Sequence, residues 1–256
     1  MTKEPLSVVY ISKNSERYLY NSLKSIQYLA DEILVVDCGS NDQTVAIAQA
    51  FGARVLLQEW LGFAAQRQFA VMAATHEWIL MLDTDELLRP TAEGAIRAAI
   101  QAGQADAFAL RRQNYIGSKA VRYSEWRNDW VIRLFDRRLG RYDPSVVVHE
   151  SWQCVGRVAR IRRVSIDHYP FASVSEMLPK LQRYAELNAE KVYARKRPVS
   201  IWTPMNHALG AFLRSYVLRL GILDGVEGAA IAWTTALGAF MKYAMARERQ
   251  LREGDG

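Results

Sequence analysis

Blocks of apolar and polar positions alternate along the first 110 residues. Leu6–Ile11 is a short continuous apolar run, and Leu19, Leu23, Ile26 and Leu29 then recur at three- and four-residue spacing. That spacing predicts a strand followed by a helix over roughly 15–29, with Asn14 or Ser15 at its N-cap. Glu32-Ile-Leu-Val-Val-Asp37 reads as a second buried strand, and Cys38–Asp42 as a tight turn into a helix over about 42–51. A third strand is expected at 53–57 and a third helix at roughly 62–74. The fourth strand, Trp78–Leu82, is wholly apolar and stops abruptly at Asp83-Thr84-Asp85-Glu86. Asp106–Arg111 reads as a further strand of the same core. Strands alternating with helices predict an α/β fold built on a mostly parallel sheet with helices on both faces. In right-handed βαβ units the strand C-termini share one edge, so Asp37, Asp83 and Asp85 are expected to face one crevice.

The second half patterns differently. Arg157, Arg160, Arg162 and Arg163 crowd a short β segment before His168. Ser173-Val-Ser175-Glu176 has the form of a capping box and opens a helix that ends near Arg195–Pro198. Two more helices are expected, Trp202–Leu223 and Gly225–Tyr243, separated by Asp224-Gly225. The uncharged stretch of the second, Gly228–Met241, falls short of the ~17–25 residues a spanning helix needs. Arg214 and Arg219 interrupt the first. Both are read as lying at a membrane surface, with Trp202, Tyr216, Trp233 and Tyr243 near headgroup level, or as packed against protein. The tail from Arg247 onward is expected to fray.

Composition narrows the chemistry. A chain of 256 residues, half of them apolar, can bury a full core. Its two cysteines, Cys38 and Cys154, form no CxxC pair and no zinc spacing, which suits the reducing cytosol; no signal peptide is visible at the N-terminus. The net charge of +6 and pI of about 9.3 point to nucleic acid, an anionic membrane surface or phosphorylated substrates. Neither a Gly-x-Gly-x-x-Gly nor a Gly-x-x-x-x-Gly-Lys-Ser/Thr follows the first strand, which disfavours dinucleotide and P-loop folds. Two converging carboxylates repel unless a divalent cation or a bound cationic group lies between them. Asp83 and Asp85 are therefore candidates to hold Mg²⁺ or Mn²⁺ against a phosphorylated ligand.

Leu6–Glu16, Ile33–Asp42, Trp60–Arg67, Asp83-Thr-Asp85, Trp126–Phe135, Val148-His149-Glu150 and Arg219–Gly225 together resemble a GT-A family 2 glycosyltransferase. Their order is similar to the bacterial subgroup of lipopolysaccharide inner-core β-1,4-glucosyltransferases. The resemblance implies a GT-A domain over 1–170, with a nucleotide-sugar half over 1–110 and an acceptor half over 111–170, and a helical extension over 171–256. It further implies Asp85 on the metal, Asp83 on the donor's ribose or a metal-bound water, and Asp37 accepting from uracil N3–H; a helix N-cap is the plainer reading of Asp37. Asn14 and Glu16 would approach the nucleotide and Arg67 the diphosphate, although Arg67 equally reads as a solvated helix charge. Ser15 stands where the family usually has an acid.

An inverting transfer needs a base for the acceptor hydroxyl, and Glu150 is the candidate, with His149 orienting it, contacting phosphate or helping bind metal, and Asp129 as the alternative base; the plainer reading of His149-Glu150 is a polar pair at a strand end. Trp126, Trp130, Arg133 and Lys119 are candidates for the acceptor wall, where aromatic faces stack on sugars and arginine matches phosphate. The same mixture fits a single-stranded nucleic-acid platform, but an acidic metal edge would repel a polynucleotide. The expected partners are thus a UDP-sugar, a lipid-linked phosphorylated glycan and the inner-leaflet surface, with no nucleic acid. The expected place is the cytoplasmic face of the inner membrane, peripherally bound. The rivals are a sibling transferase acting on another glycan or a polyprenyl phosphate, and a non-catalytic binding module on a transferase scaffold.

Overall fold

The computed structural model describes residues 4–145 and 151–254. The chain forms two compact units, one comprising residues 1–113 and 128–168, the other residues 114–127 and 169–256. Residues 114–127 group with the helices of the second unit.

The first unit opens with β1 (Leu6–Ser12), α1 (Glu16–Ile26), β2 (Glu32–Asp37), α2 (Thr44–Ala50), β3 (Arg54–Leu57), α3 (Phe63–Ala73) and β4 (Trp78–Leu82). β5 (Glu86–Leu88), α4 (Ala92–Ala102) and β6 (Ala107–Ile116) follow. The remaining strands are β7 (Lys119–Ala120), β8 (Asp129–Asp136), β9 (Gly140–Arg141), β10 (Gln153–Cys154) and β11 (Val158–Phe171). The main sheet runs β3-β2-β1-β4-β8-β6-β11-β5, with β7 on β6. β1 pairs parallel with β2 (Ser12 opposite Asp37) and with β4 (Tyr10 opposite Leu82). The C-terminal ends of β2 and β4 therefore lie on one edge with β1 between them, as the alternating pattern requires. β8 pairs antiparallel with β4 and β6, so the sheet is mixed.

Both faces of the sheet are covered. Leu6, Val8, Tyr10, Leu80 and Leu82 pack with Leu19, Leu23, Ile96 and Ile100 of α1 and α4 on one face. Val9, Ile79 and Met81 pack with Ala70 and Val71 of α3 and with Phe135, Tyr142 and Trp152 on the other. Every residue of β4 is buried, which is why that strand reads as an unbroken apolar run.

The first loops depart from simple capping. Ser15 makes no side-chain cap bond, and Asn14 takes a left-handed φ of 49° that asparagine tolerates. Its Oδ1 accepts from Asn41 N–H at 2.9 Å, so the residue joins two loops instead of opening a helix.

The second unit contains α5 (Met177–Tyr193), α6 (Thr203–Leu213) and α7 (Val226–Gly254). The apolar helix expected over 202–223 breaks at Leu213 into a π-type turn (Arg214–Leu218) and a 3₁₀ turn (Gly221–Asp224). The expected fraying after Arg247 does not occur among the described residues. Arg247 Nη1 donates to Val199 O at 2.8 Å, and Gln250 bonds Val199 N–H and Arg197 O at 3.0 and 2.8 Å. Residues 114–127 join this unit because Asp224 accepts from the backbone N–H groups of Arg122 and Tyr123, at 3.0 and 2.8 Å. Lys119 Nζ also lies 2.8 Å from Glu227. Among the described residues no helix is long and apolar enough to cross a membrane.

Candidate active site

The edge of β1, β2 and β4 builds the site from backbone outwards. At the end of β2, Asp37 is fully buried and accepts from Ser12 Oγ (2.9 Å), Gly39 N–H (2.9 Å), Ser40 N–H (2.7 Å) and Ser40 Oγ (2.6 Å). It thus shapes the turn after β2 rather than capping α2, which starts only at Thr44. Glu16 Oε2 accepts from Gln43 N–H at 2.9 Å, and Asn14 bonds Ser40 and Asn41, so both predicted nucleotide residues hold the loop 40–43.

At the end of β4 the chain turns through Asp83–Glu86, closed by Glu86 N–H on Asp83 O (3.0 Å) and Asp83 N–H on Glu86 Oε2 (3.1 Å). Asp83 accepts from Arg67 Nη2 at 2.6 Å on one oxygen and from Arg133 Nη2, in a very short contact, on the other. Arg133 also donates to Glu86 Oε1 at 2.6 Å, and Glu86 is fully buried. Arg112 lies 3.3 Å from the same Glu86 oxygen and donates through Nε to Asp129 Oδ2 at 2.8 Å. A chain of alternating charge therefore runs from α3 through the acidic turn to β6 and β8. Burial alone would push the Asp83 carboxyl up, but the Arg133 and Arg67 guanidiniums outweigh it and hold Asp83 well below the usual carboxylate range. Burial would likewise lower Arg133, but the charges of Asp83 and Glu86 raise it further above its ordinary value.

Asp85 sits in different company. Its side chain is 28% exposed, and His168 Nε2 of β11 stands 3.6 Å from its Oδ2. Among the described residues no group of three or more His, Cys, Asp and Glu side chains is disposed to hold a metal ion. A carboxylate and an imidazole still fit a small divalent cation whose other ligands are substrate phosphates and water, since Mg²⁺ keeps several waters and takes only one or two carboxylates.

The other predicted residues divide between the units. Arg67 and Arg133 are buried counter-charges, which leaves Arg67 no solvated helix face and Arg133 no place on an acceptor wall. Trp130, in the first unit, lies opposite Arg111 in the β6–β8 register and carries the Arg160 guanidinium 4.9 Å above its ring. Asp129 is opposite Arg112 in the same register, on the other face of the sheet from Trp130. In the second unit Trp126 stacks on Phe171 at 6.1 Å, and Lys119 pairs with Glu227. His149 and Glu150 lie outside the described residues.

Sequence reasoning missed Glu86, Arg112 and His168 as members of the site. Glu86 was visible as the third acid of the turn. Arg112 and His168 are distant in sequence and join it only through the pairing of β6 with β8 and of β11 with β5, where His168 is opposite Glu86.

Comparison with known proteins agrees with this architecture. The family model described as glycosyl transferase family 2 matches residues 7–164. The lipopolysaccharide core biosynthesis glycosyltransferase LpsC of Rhizobium meliloti is 30% identical over 256 residues, covering 95% of this chain and 94% of its own. An uncharacterized glycosyltransferase of Rickettsia typhi is 24% identical, over 96% of this chain and 88% of its own. Among solved structures, residues 1–349 of S. aureus TarS superpose with a TM-score of 0.51 at 15% identity, covering 98% of this chain and 92% of that one, a likeness of fold.

Proposed function

The chain belongs to glycosyl transferase family 2, and we propose that it transfers glucose or another hexose from a UDP-sugar to a lipid-linked heptose of the lipopolysaccharide inner core with inversion. That it is a nucleotide-sugar-dependent enzyme acting on a glycan acceptor follows from the family; the sugar and acceptor are the proposal. Support for the acceptor comes from the Rhizobium meliloti relative, named for lipopolysaccharide core biosynthesis and matched along nearly its whole length.

The asymmetry of Asp83 and Asp85 carries the mechanistic reading. Asp83 is neutralised by two arginines, whereas Asp85, about equally exposed, stands beside His168. Asp85 and His168 would hold Mg²⁺ or Mn²⁺, which supplies Lewis-acid stabilisation of the departing diphosphate. Asp83, Arg67, Arg133 and Glu86 keep the turn in place so that Asp85 is presented at a constant position. Asp37, Asn14 and Glu16 shape the loops that would receive the uridine. Glu150 is the proposed base: it removes the acceptor hydroxyl's proton as that oxygen attacks the anomeric carbon opposite the leaving UDP, with Asp129 as alternative. The protein would work as a peripheral enzyme at the cytoplasmic face of the inner membrane, a reading supported by the apolar, basic character of its second unit.

The test is hydrolysis or transfer of UDP-glucose with and without Mn²⁺ or Mg²⁺. Activity is expected to need the cation and to vanish in Asp85→Ala. Metal-independent turnover overturns the assignment of Asp85 and His168.

A further inference from the structure

The second unit turns an apolar helix face towards water. From the N-cap Trp202 along α6, Met205, Leu209 and Leu213 follow at three- and four-residue spacing and all four are exposed, so they form one stripe. The opposite side of the helix buries Pro204 and Ala211. A helix of a soluble domain normally points such a stripe at the core. Here it continues into the turn that follows, where Leu218 is 77% and Val226 74% exposed and Ile222 and Leu223 stand out between them.

Backbone packing forces those side chains outward. Leu220 takes a left-handed φ of 58°, and Gly228 lies so close to the Gly221 carbonyl that a Cβ there would stand 1.8 Å from its oxygen. The interior of the turn is thus filled by main chain and by the buried Asp224.

The charge pattern identifies what covers this face. From residue 191 to 223 there is no Asp or Glu, while Lys191, Arg195, Lys196, Arg197, Arg214 and Arg219 are all basic. Trp202 and Trp233 are 70% and 66% exposed, the disposition of indoles that rest at headgroup level. Exposed leucines in a stretch whose charged residues are all arginine or lysine, with exposed tryptophans, match a negatively charged lipid surface. A second copy meeting this face about a two-fold axis would instead set arginine against arginine.

We propose that α6 and the turn Arg214–Val226 dock the chain on an anionic phospholipid surface, and that Asp224 makes the loop Arg122–Arg127 part of the docking body. The proposal rests on the membrane-surface part of the function above and specifies its contact. Asp224 is two residues from both Ile222 and Val226, and its carboxylate holds the Arg122 and Tyr123 amides. Glu125 adds a second tie, accepting from Ser215 Oγ and standing 3.4 Å from Arg219 Nη1. Whatever orders the turn therefore orders the loop that carries Trp126.

The experiment uses the full chain with phosphatidylcholine vesicles, with and without phosphatidylglycerol. Flotation is expected with phosphatidylglycerol and to be weaker by at least roughly tenfold without it. The double variant Leu218→Glu/Leu223→Glu is expected to lower partitioning by a further order of magnitude, about tenfold. Both side chains are exposed, so its thermal unfolding should match wild type. Hydrogen exchange on the vesicles is expected to slow in peptides covering 201–226 and 119–127 together, and in Asp224→Asn only in the first. Equal binding to neutral vesicles, or a dimer that shields Trp202 and Trp233 without flotation, overturns the docking. Slowing confined to 201–226 in wild type overturns the coupling. Cation-dependent UDP-glucose hydrolysis that persists in the double variant leaves the transferase reading standing if docking fails.

Discussion

Arg67 Nη2 donates to Asp83 Oδ1 at 2.6 Å, tying α3 to the end of β4. This bond makes the two acids of Asp83-Thr84-Asp85 unequal. Asp83 already has its cations, Arg67 and Arg133, supplied by the protein; Asp85 stands 3.6 Å from the His168 imidazole. Substitution of the two should therefore have opposite signatures.

Asp83→Ala takes one carboxylate from two buried arginines, of which Arg133 keeps its bond to Glu86. Breaking a buried pair from one side typically costs about 3–5 kcal/mol, so urea unfolding should show a loss of that order. Asp85→Asn should change stability by less than about 1 kcal/mol, since it leaves the Arg67 and Arg133 pairs in place, while cation-dependent turnover is lost. Equal destabilisation by both would contradict the asymmetry.

Glu86 and Arg133 share one hydrogen bond inside the charged chain, so their effects should not add. Arg133→Met and Glu86→Gln are each expected to destabilise the fold, with a coupling energy of about 0.5–3 kcal/mol in the double-mutant cycle. A coupling near zero would mean that the two act independently.

Glu32 makes a pH prediction away from the site. Burial would raise its pKa, but bonds from Ser7 Oγ, Thr75 and Arg54 bring it down to about 2. A carboxylate depressed in the folded state contributes stability that is complete above its unfolded pKa and lost as pH falls through the folded value. The stability difference between wild type and Glu32→Gln should therefore be constant at neutral pH and shrink between about pH 4.5 and pH 2. Chemical unfolding at several pH values measures it, and a difference that does not vary with pH refutes the assignment.

For the base, Glu150→Gln should keep UDP binding, read by calorimetry, and lose transfer by about 10²–10⁴-fold. Near-normal turnover would move the role to Asp129. Asp129→Asn should in addition loosen Arg112, whose Nε bonds Asp129 Oδ2 at 2.8 Å.

Gly228→Ala tests the packing of the second unit. With the Gly221 carbonyl 1.8 Å from the added Cβ, backbone must shift, and a loss of about 1–3 kcal/mol or more in thermal unfolding is expected. A neutral variant would show that α7 does not need this close approach.

Much of the first unit was legible because its strands carry their burial in their composition. A strand covered on both faces is apolar throughout, so β1, β2 and β4 announced themselves, and the parallel connection put Asp37 and Asp83 on one edge. Helix ends were less legible because polar side chains near them serve distant loops: Asn14 and Asp42 are engaged across the 14–44 region instead of simply capping α1 and α2. The final helix outran its expected length because Gln250 and Arg247 reach the 197–199 backbone, a contact that no local pattern records.

Sequence by itself determined the alternating α/β core, the acidic sheet edge and the family to which those motifs point, since each rests on local burial pattern or residue order. Tertiary structure alone decided which positively charged side chains each acid meets. Arg67, Arg112, Arg133 and His168 reach Asp83, Glu86 and Asp85 through helix packing and strand register. The charge on a carboxylate depends on what stands within a few ångströms of it, and that distance is not written along the chain.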